Sequence, residues 1–459
     1  VRQLVLAMSD ALEADPCDAQ RYPGLSAQGA AMLRFMREHP HAPIYRKHSG
    51  HRLLPTDLPE LRRFEGWVRN APIDNHPHTP PAWMASFLQY VAAQVPAYRA
   101  LTPPGVHFKQ LPTTTRADLS TDIAQFVPDD VPLQRLINFS TSGTSGHPLL
   151  IASHPVVAAR YRAFHERALA RHGIELQAGR GEVGVVLIGW QRQCFTYVSV
   201  TPTRDESGLA KINLHPDDWR HAEDRAKYLD ALAAEIYAGD PLSFAALLEL
   251  PTRHRPRALL STSMTLLPGL RHALEQHFAA PVLDLYSMNE AGPIAVMDPA
   301  LDAHVLLQPR LYVEILDEQG ASVTPGERGE VTLTGGFNFC LPLLRYRTGD
   351  YARLQRSGAD WLLCELHGRP PVCYRRADSS RFNNVEITHA LKHLGLAQWQ
   401  VHQFADGSVR ARVRAAREVG SAPVAAALRT VFGADSLIHV EIHAQLGTGD
   451  KLIQYTADV

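Results

Sequence analysis

The apolar run VGVVLIGW, Val183 to Trp190, constrains the chain most, because eight such residues predict a strand buried on both faces. Helix and strand then alternate. LLSTSM (Leu259 to Met264) follows a strand, PGLRHALEQHF predicts a helix, and APVLDLYSM predicts a strand that leads into a loop. From Leu306 to Leu354 the pattern becomes β-rich. LYVEILDEQG and GEVTLTG read as strands separated by the turn around Pro325. GRPP, from Gly368, marks a boundary, and strand–helix units follow it. The expected class is α/β, with a helical N-terminal extension (residues 1–80), a large body (81–367) and a small α+β C-terminal domain (368–459).

Local signals refine this outline. Trp83 to Tyr98 predicts a helix, and Thr115 caps one begun by Arg116 and Asp118. After Pro155, Val157, Tyr161, Phe164 and Ala168 fall at helical spacing, and Gly173 closes that helix. The stretch from Ala71 to Pro81 is either a linker or an ordered crossing of the main body.

Composition removes several function classes. Lys and Arg number 46 against 47 Asp and Glu, for a net charge of −1, so the basic surplus of a general nucleic-acid binder is missing. The five cysteines (Cys17, Cys194, Cys340, Cys364, Cys373) contain no CxxC, which argues against a disulfide framework and fits a reducing cytoplasm. Cys364 and Cys373 bracket His367 at a spacing that matches no common zinc site. Val183 to Trp190 is far shorter than the roughly 20 apolar residues a membrane span needs. The amino end, VRQLVLAMSDALEADP, reads as the start of an amphipathic helix and not as a secretory signal. GRGEVG, from Gly179 to Gly184, has dinucleotide-type glycine spacing. It precedes a strand where that fingerprint must follow one and open a helix. No Walker A, GxSxG or HExxH pattern occurs.

The segment STSGTSGHP, from Ser140 to Pro148, can carry chemistry. Its glycines let backbone approach an anion, and its hydroxyls and N–H groups offer neutral donors to phosphate oxygens. Composition alone equally allows a polar surface turn. Downstream come LDLYSMNEAG (Leu283 to Gly292), LPLLRYRTGDYARL (Leu341 to Leu354), GRPP and a lysine, Lys451, in GTGDK. Upstream lie VPAYR (Val95 to Arg99) and LPTTTRADL (Leu111 to Leu119). In this order, from about Trp83 to Lys451, the motifs resemble those of the adenylate-forming superfamily of acyl- and aryl-CoA ligases. The resemblance is nearest to the phenylacetate–CoA ligase branch.

That resemblance implies an adenylation domain over 81–367 and a mobile lid over 368–459. Ser140, Thr141, Ser142, Gly143, Thr144, Ser145 and Gly146 would hold the phosphates of ATP. Tyr286 would stack on adenine, Asn289 would hydrogen-bond the α-phosphate, and Glu290 would hold Mg²⁺ through its hard carboxylate oxygen. Asp350 would accept both ribose hydroxyls, Arg369 would contact the nucleotide near the hinge, and Lys451 would arrive with the lid to stabilise charge on the α-phosphate. The implied reaction joins a carboxylic acid to AMP with release of pyrophosphate, then passes the acyl group to a thiol. The implied enzyme is cytoplasmic, a monomer or homodimer, without a nucleic-acid or membrane partner.

Departures from the family pattern concern the acceptor and the phosphate loop. Pro148 is followed by Leu149 where the family carries Lys or Thr, and Ser287 replaces a glycine. Pro370 and Pro371 stand at the hinge, where proline fixes φ, and RRADSSRFNNVEI lacks the glycine of the loop lining the pantetheine tunnel. The acceptor is therefore open: CoA, a phosphopantetheinyl acyl-carrier protein or an amine, with a non-catalytic nucleotide-binding relative as the remaining alternative. Trp190, Phe195 and Tyr197 either shape a pocket for an aromatic acid or belong to the ordinary core. Gln191, Arg192 and Gln193 could read a polar substituent on that acid.

Overall fold

The computed structural model describes residues 17–45, 49–77, 79–102, 105–140, 149–190, 194–368, 372–376, 378–391, 393–415, 419–444, 446 and 455–458. A two-stranded ribbon comes first, β1 (Ile137–Ser140) paired with β2 (Leu150–Ser153), and Ser140 lies opposite Leu150. Six strands of the central sheet follow: β3 (Val183–Gly189), β4 (Tyr197–Thr201), β5 (Ser207–Asn213), β6 (Ile236–Gly239), β7 (Ala258–Ser261) and β8 (Val282–Met288). Six more come from the β-rich region: β9 (Gly292–Asp298), β10 (Ala303–Leu306), β11 (Leu311–Leu316), β12 (Arg328–Gly335), β13 (Leu343–Ser357) and β14 (Asp360–Gly368). These twelve form one sheet in the order β11-β12-β13-β14-β10-β9-β8-β7-β6-β3-β5-β4.

Pairing changes character at β8. The neighbouring pairs among β5, β3, β6, β7 and β8 are parallel, as expected of apolar strands covered on both faces. From β9 onward every pair is antiparallel. Within β8 itself, Val282–Asp284 pair in parallel with Leu259–Ser261, and Leu285 and Tyr286 pair antiparallel with Val296 and Ala295. One strand thus joins the α/β half to the β-rich half, and a register shift between Tyr286 and Ser287 follows at once.

Helices cover this sheet where the periodicity placed them. Pro155–Arg171 buries Val157, Phe164 and Ala168, with Gly173 at φ +70° beyond its end. Pro268–Phe278 buries Leu270, Leu274 and Phe278. The helix expected from Trp83 to Tyr98 is divided into Met84–Gln94 and Pro96–Arg99, because Pro96 cannot continue the first. GRGEVG leads into β3, on the wrong side of a strand for a dinucleotide turn. Early residues also enter the core: Tyr22, Met32, Leu33 and Met36 pack with Val183, Val198 and Ala210.

Beyond Gly368, β15 (Cys373–Arg375) and β16 (Arg381–Asn383) make a hairpin. A four-stranded sheet then contains β17 (Leu396–Gln403), β18 (Val409–Ala415), β19 (Ile438–Ile442) and β20 (Tyr455–Ala457), in the order β19-β18-β17-β20. Its own core contains Trp399, Val401, Val413, Val424, Leu428 and Phe432. The two sheets meet where helix Pro268–Phe278 packs on β17 and Arg414 reaches Glu249 at 2.7 Å. A Cβ built on Gly269 would stand 2.7 Å from the Leu396 carbonyl oxygen. Gly269→Ala is therefore expected to destabilise the docked chain by about 1–3 kcal/mol, although alanine is the better helix former. Thermal unfolding measures this, and a raised melting temperature would show that the interface gives way freely.

Candidate active site

The strand junction places the first group of candidate residues. Asp284 and Tyr286, two apart on β8, share one face of the sheet. The phenolic O–H of Tyr286 donates to Asp350 Oδ2 at 2.7 Å, and the Asp350 backbone N–H donates to Thr348 Oγ1 at 3.0 Å. Burial, followed by the neighbouring Asp350 carboxylate, holds the Tyr286 phenol well above its ordinary value, so it remains a donor. Two residues expected to touch opposite ends of a nucleoside are thus brought into direct contact from β8 and β13.

The next turn carries Glu290, which is 5 % exposed. Arg116 Nη1 donates to Glu290 Oε1 at 2.9 Å, and Tyr346 O–H donates to the same oxygen at 3.2 Å. Burial and the Glu290 charge push the Tyr346 phenol upward, again preserving a donor. Arg116 arrives because its segment adds to β13. Thr114 N–H donates to the Arg345 carbonyl at 3.0 Å, and Arg347 N–H donates to the Thr114 carbonyl at 2.8 Å. Thr115 accepts from Asp118 N–H, so the expected helix runs Arg116–Thr121 with its cap in place.

The other residues around this turn brace it. Asn289 is exposed, and its carbonyl accepts from Tyr161 O–H at 3.2 Å. Gln308 Nε2 donates to the carbonyls of Ala291 and Pro293 at 2.6 and 2.7 Å. Gly292 has φ +69°, and a Cβ there would lie 2.4 Å from the Phe337 ring, so only glycine fits. Beneath Tyr286, burial raises the Asp284 carboxyl to about 7 and lowers His304 to about 3. Because burial keeps the imidazole neutral, their 3.9 Å approach is not an ion pair at neutral pH.

The motif RYRTGD divides into two roles. Tyr346 and Asp350 face Glu290 and Tyr286, whereas the arginines anchor backbone. Arg345, 3 % exposed, meets Glu314 and donates to the Lys109 and Gly320 carbonyls at 3.0 and 3.1 Å. Arg347 meets Glu330 and donates to the Asp317 carbonyl at 3.1 Å.

Ser140 ends β1 beside these elements. Thr141, Ser142, Gly143, Thr144, Ser145 and Gly146 lie outside the described residues, as do Arg369, Pro370, Pro371 and Lys451. Gln191, Arg192 and Gln193 lie outside them too. Trp190 lines a small cleft between the two sheets with Leu242, Ala246, Gln398, Arg414 and Leu446, and Phe195 is 41 % exposed. Arg116 and Gln308 are the residues that sequence reasoning missed. The cap Thr115–Asp118 placed Arg116 on a helix, but nothing local linked it to an acid 174 positions away.

No family model matches the chain. The phenylacetate-coenzyme A ligase of Pseudomonas putida is 35% identical over 89 residues, 18% of this chain and 20% of the relative. That of Escherichia coli (strain K12) is 32% identical over 90 residues, 19% and 21% of the two chains. The match therefore spans about a fifth of the length of these curated relatives. Among solved structures, 2-hydroxyisobutyryl-CoA ligase in the postadenylation state with R3-HIB-AMP superposes with a TM-score of 0.63 at 16% identity. That alignment covers 86% of this chain and 89% of the other. An open conformation of a 2-hydroxyisobutyryl-CoA ligase with 2-HIB-AMP and CoA gives 0.53 at 17% identity, covering 84% and 97%. The large sheet with its smaller companion is thus the fold of the adenylate-forming acyl-CoA ligases, and one segment of the chain is homologous to the phenylacetate–CoA ligases.

Proposed function

We propose that the chain activates a carboxylic acid with ATP, forming an acyl-adenylate and pyrophosphate, and then transfers the acyl group to a thiol of CoA or of an acyl-carrier protein. The observation that carries this reading is the Tyr286–Asp350 hydrogen bond at 2.7 Å, with buried Glu290 one turn away. Ligands of open α/β sheets bind outside the carboxyl ends of parallel strands where the topology switches, and β8 is that place here. Asp350 offers a charged acceptor for ribose hydroxyls, and Tyr286 offers an aromatic face to the base.

Glu290 fits a magnesium ion delivered with the nucleotide. Both of its neighbours use Oε1, and Oε2 has no hydrogen-bond partner among the described residues. Magnesium commonly takes one or two carboxylates and completes its shell with phosphates and water. Among the described residues no three metal-ligating side chains converge, so a metal at Glu290 would depend on the nucleotide. When bound, it would neutralise phosphate charge. The attacking carboxylate is already ionised at neutral pH, so this half of the reaction needs charge neutralisation more than a general base. Asn289 would donate to the α-phosphate, the hydroxyls and glycines of residues 140–146 would hold the distal phosphates, and Arg369 would touch the nucleotide.

No described helix is long and apolar enough to cross a membrane, and the proposed enzyme works in the cytoplasm on a small-molecule acid. The test uses the purified chain with ATP, Mg²⁺ and a panel of aliphatic and aromatic acids, offering CoA, a holo-carrier protein or an amine as acceptor. Product mass identifies acid and acceptor together. AMP is expected to rise above background with at least one acid, and a thioester should form. If no acid yields AMP with any acceptor, carboxylate activation is wrong; an amide product would reassign the acceptor.

A further inference from the structure

Resting on that reading, we infer that Arg116 is a triphosphate-binding residue: it supplies the cationic contact that the phosphate loop lacks. The argument begins at position 149. Leu149 follows Pro148 where the resembled family carries Lys or Thr, and it is only 1 % exposed. It belongs to one core cluster with Leu119, Phe126 and Ile151, so its side chain is turned to the core and offers no cationic or hydroxyl group. The helix that supplies Leu119 begins at Arg116. Leu119 shares that core cluster with Leu149, and the hydrogen bonds of Thr114 to β13 set Arg116 beside Glu290.

The placement of that arginine is specific. Its side chain is 35% exposed, and Nη1 lies 2.9 Å from Glu290 Oε1, the oxygen that also accepts from Tyr346. Glu290 would hold a metal delivered with the nucleotide, and Arg116 is hydrogen-bonded to that same carboxylate. Arginine has five N–H donors in a fork, and Nη1 is the one on Glu290. Without nucleotide, Arg116 compensates a buried carboxylate that has no other cationic partner among the described residues. With Mg²⁺·ATP bound, Arg116 would share its donors between Glu290 and the phosphates, and the metal would supply further neutralising charge. AMP lacks the β- and γ-phosphates and would not call on this sharing.

The competing explanation is that Arg116 only neutralises Glu290 and supports the fold. Binding of ATP and of AMP separates the two, measured by calorimetric titration in the presence of Mg²⁺ with no acid added. Arg116→Ala is expected to weaken ATP on the order of 10- to 100-fold, the range for losing a charged hydrogen bond, and to leave AMP within about twofold. Arg116→Lys should recover much of the ATP affinity. Arg116→Gln, which can still donate to Glu290, should fold like the wild type yet retain the ATP defect. Equal weakening of both nucleotides, or tighter ATP binding by Arg116→Gln, overturns the inference. A wild-type chain that binds AMP and ATP equally well also overturns it and leaves a nucleotide site standing. A wild-type chain that binds neither nucleotide removes the nucleotide site itself, and the inference falls with it.

Discussion

Arg345→Met is expected to lower the unfolding free energy of the large body by about 3–5 kcal/mol, the usual cost of removing one partner from a buried charge pair. The Arg345 and Glu314 side chains are 3% and 2% exposed, so no water replaces a lost partner. Arg345 also holds the Lys109 and Gly320 carbonyls, and it does so from a backbone at φ +43°, which the dense bonding around it must maintain. Burial raises the Glu314 carboxyl against the lowering effect of Arg345, and removing the arginine leaves burial alone. A carboxyl raised in the folded state contributes stability below its unfolded value and loses it as pH rises through the folded value. The defect should therefore be larger at pH 8 than at pH 5. Equilibrium denaturation at both pH values measures this. Adding Glu314→Leu should recover a good part of the loss, since two apolar groups leave no orphaned charge. A defect below about 1 kcal/mol, or one that grows on acidification, would show that the pair does not hold the sheet as described.

Consequences should reach the proposed nucleotide site, because the Arg345 carbonyl accepts from Thr114 two residues before Arg116. How much of this was legible depended on range. Elements with a strong local period were readable: β3 from its apolar run, helix Pro155–Arg171 from its spacing, and the Thr115 cap from its side chains. The candidate site residues could be named from the order of the motifs and the family it resembles, since residue types alone left them as ordinary polar turns and surface acids. Their mutual contacts could not. Tyr286 and Asp350 lie 64 positions apart, and Arg116 and Glu290 lie 174 apart, so no local signal pairs them. The same applies to Tyr22, Met32 and Met36: an amphipathic helix shows that it has a buried face but not which sheet it meets. The change of pairing within β8 was equally hidden, since a strand's own sequence does not name its neighbours.

Lys451→Ala is expected to slow acyl-adenylate formation by about 10²–10³-fold while changing ATP affinity little, by analogy with the loss of one preorganised donor to a developing anion. As the ionised carboxylate attacks, charge grows on the α-phosphate and leaving pyrophosphate oxygens, so a cation that would arrive with the small domain would act mainly in the transition state. Lys451 follows Leu446 by five positions, with four residues between them, a reach of at most about 18 Å. Leu446 is buried beside Trp190, just past the carboxyl end of β3. β3, β6, β7 and β8 run parallel, so their carboxyl ends lie along one side of the sheet, the side toward which Tyr286 and Glu290 follow one another. Leu446 therefore lies on the side of the sheet where the proposed reaction would occur. Single-turnover pyrophosphate release gives the rate, and nucleotide titration gives the affinity. Thioester formation from a supplied acyl-adenylate should fall much less, because that half no longer expels pyrophosphate. Pyrophosphate release that survives the substitution unchanged would remove Lys451 from the chemistry, and an equal loss in both halves would make it a docking residue for the small domain.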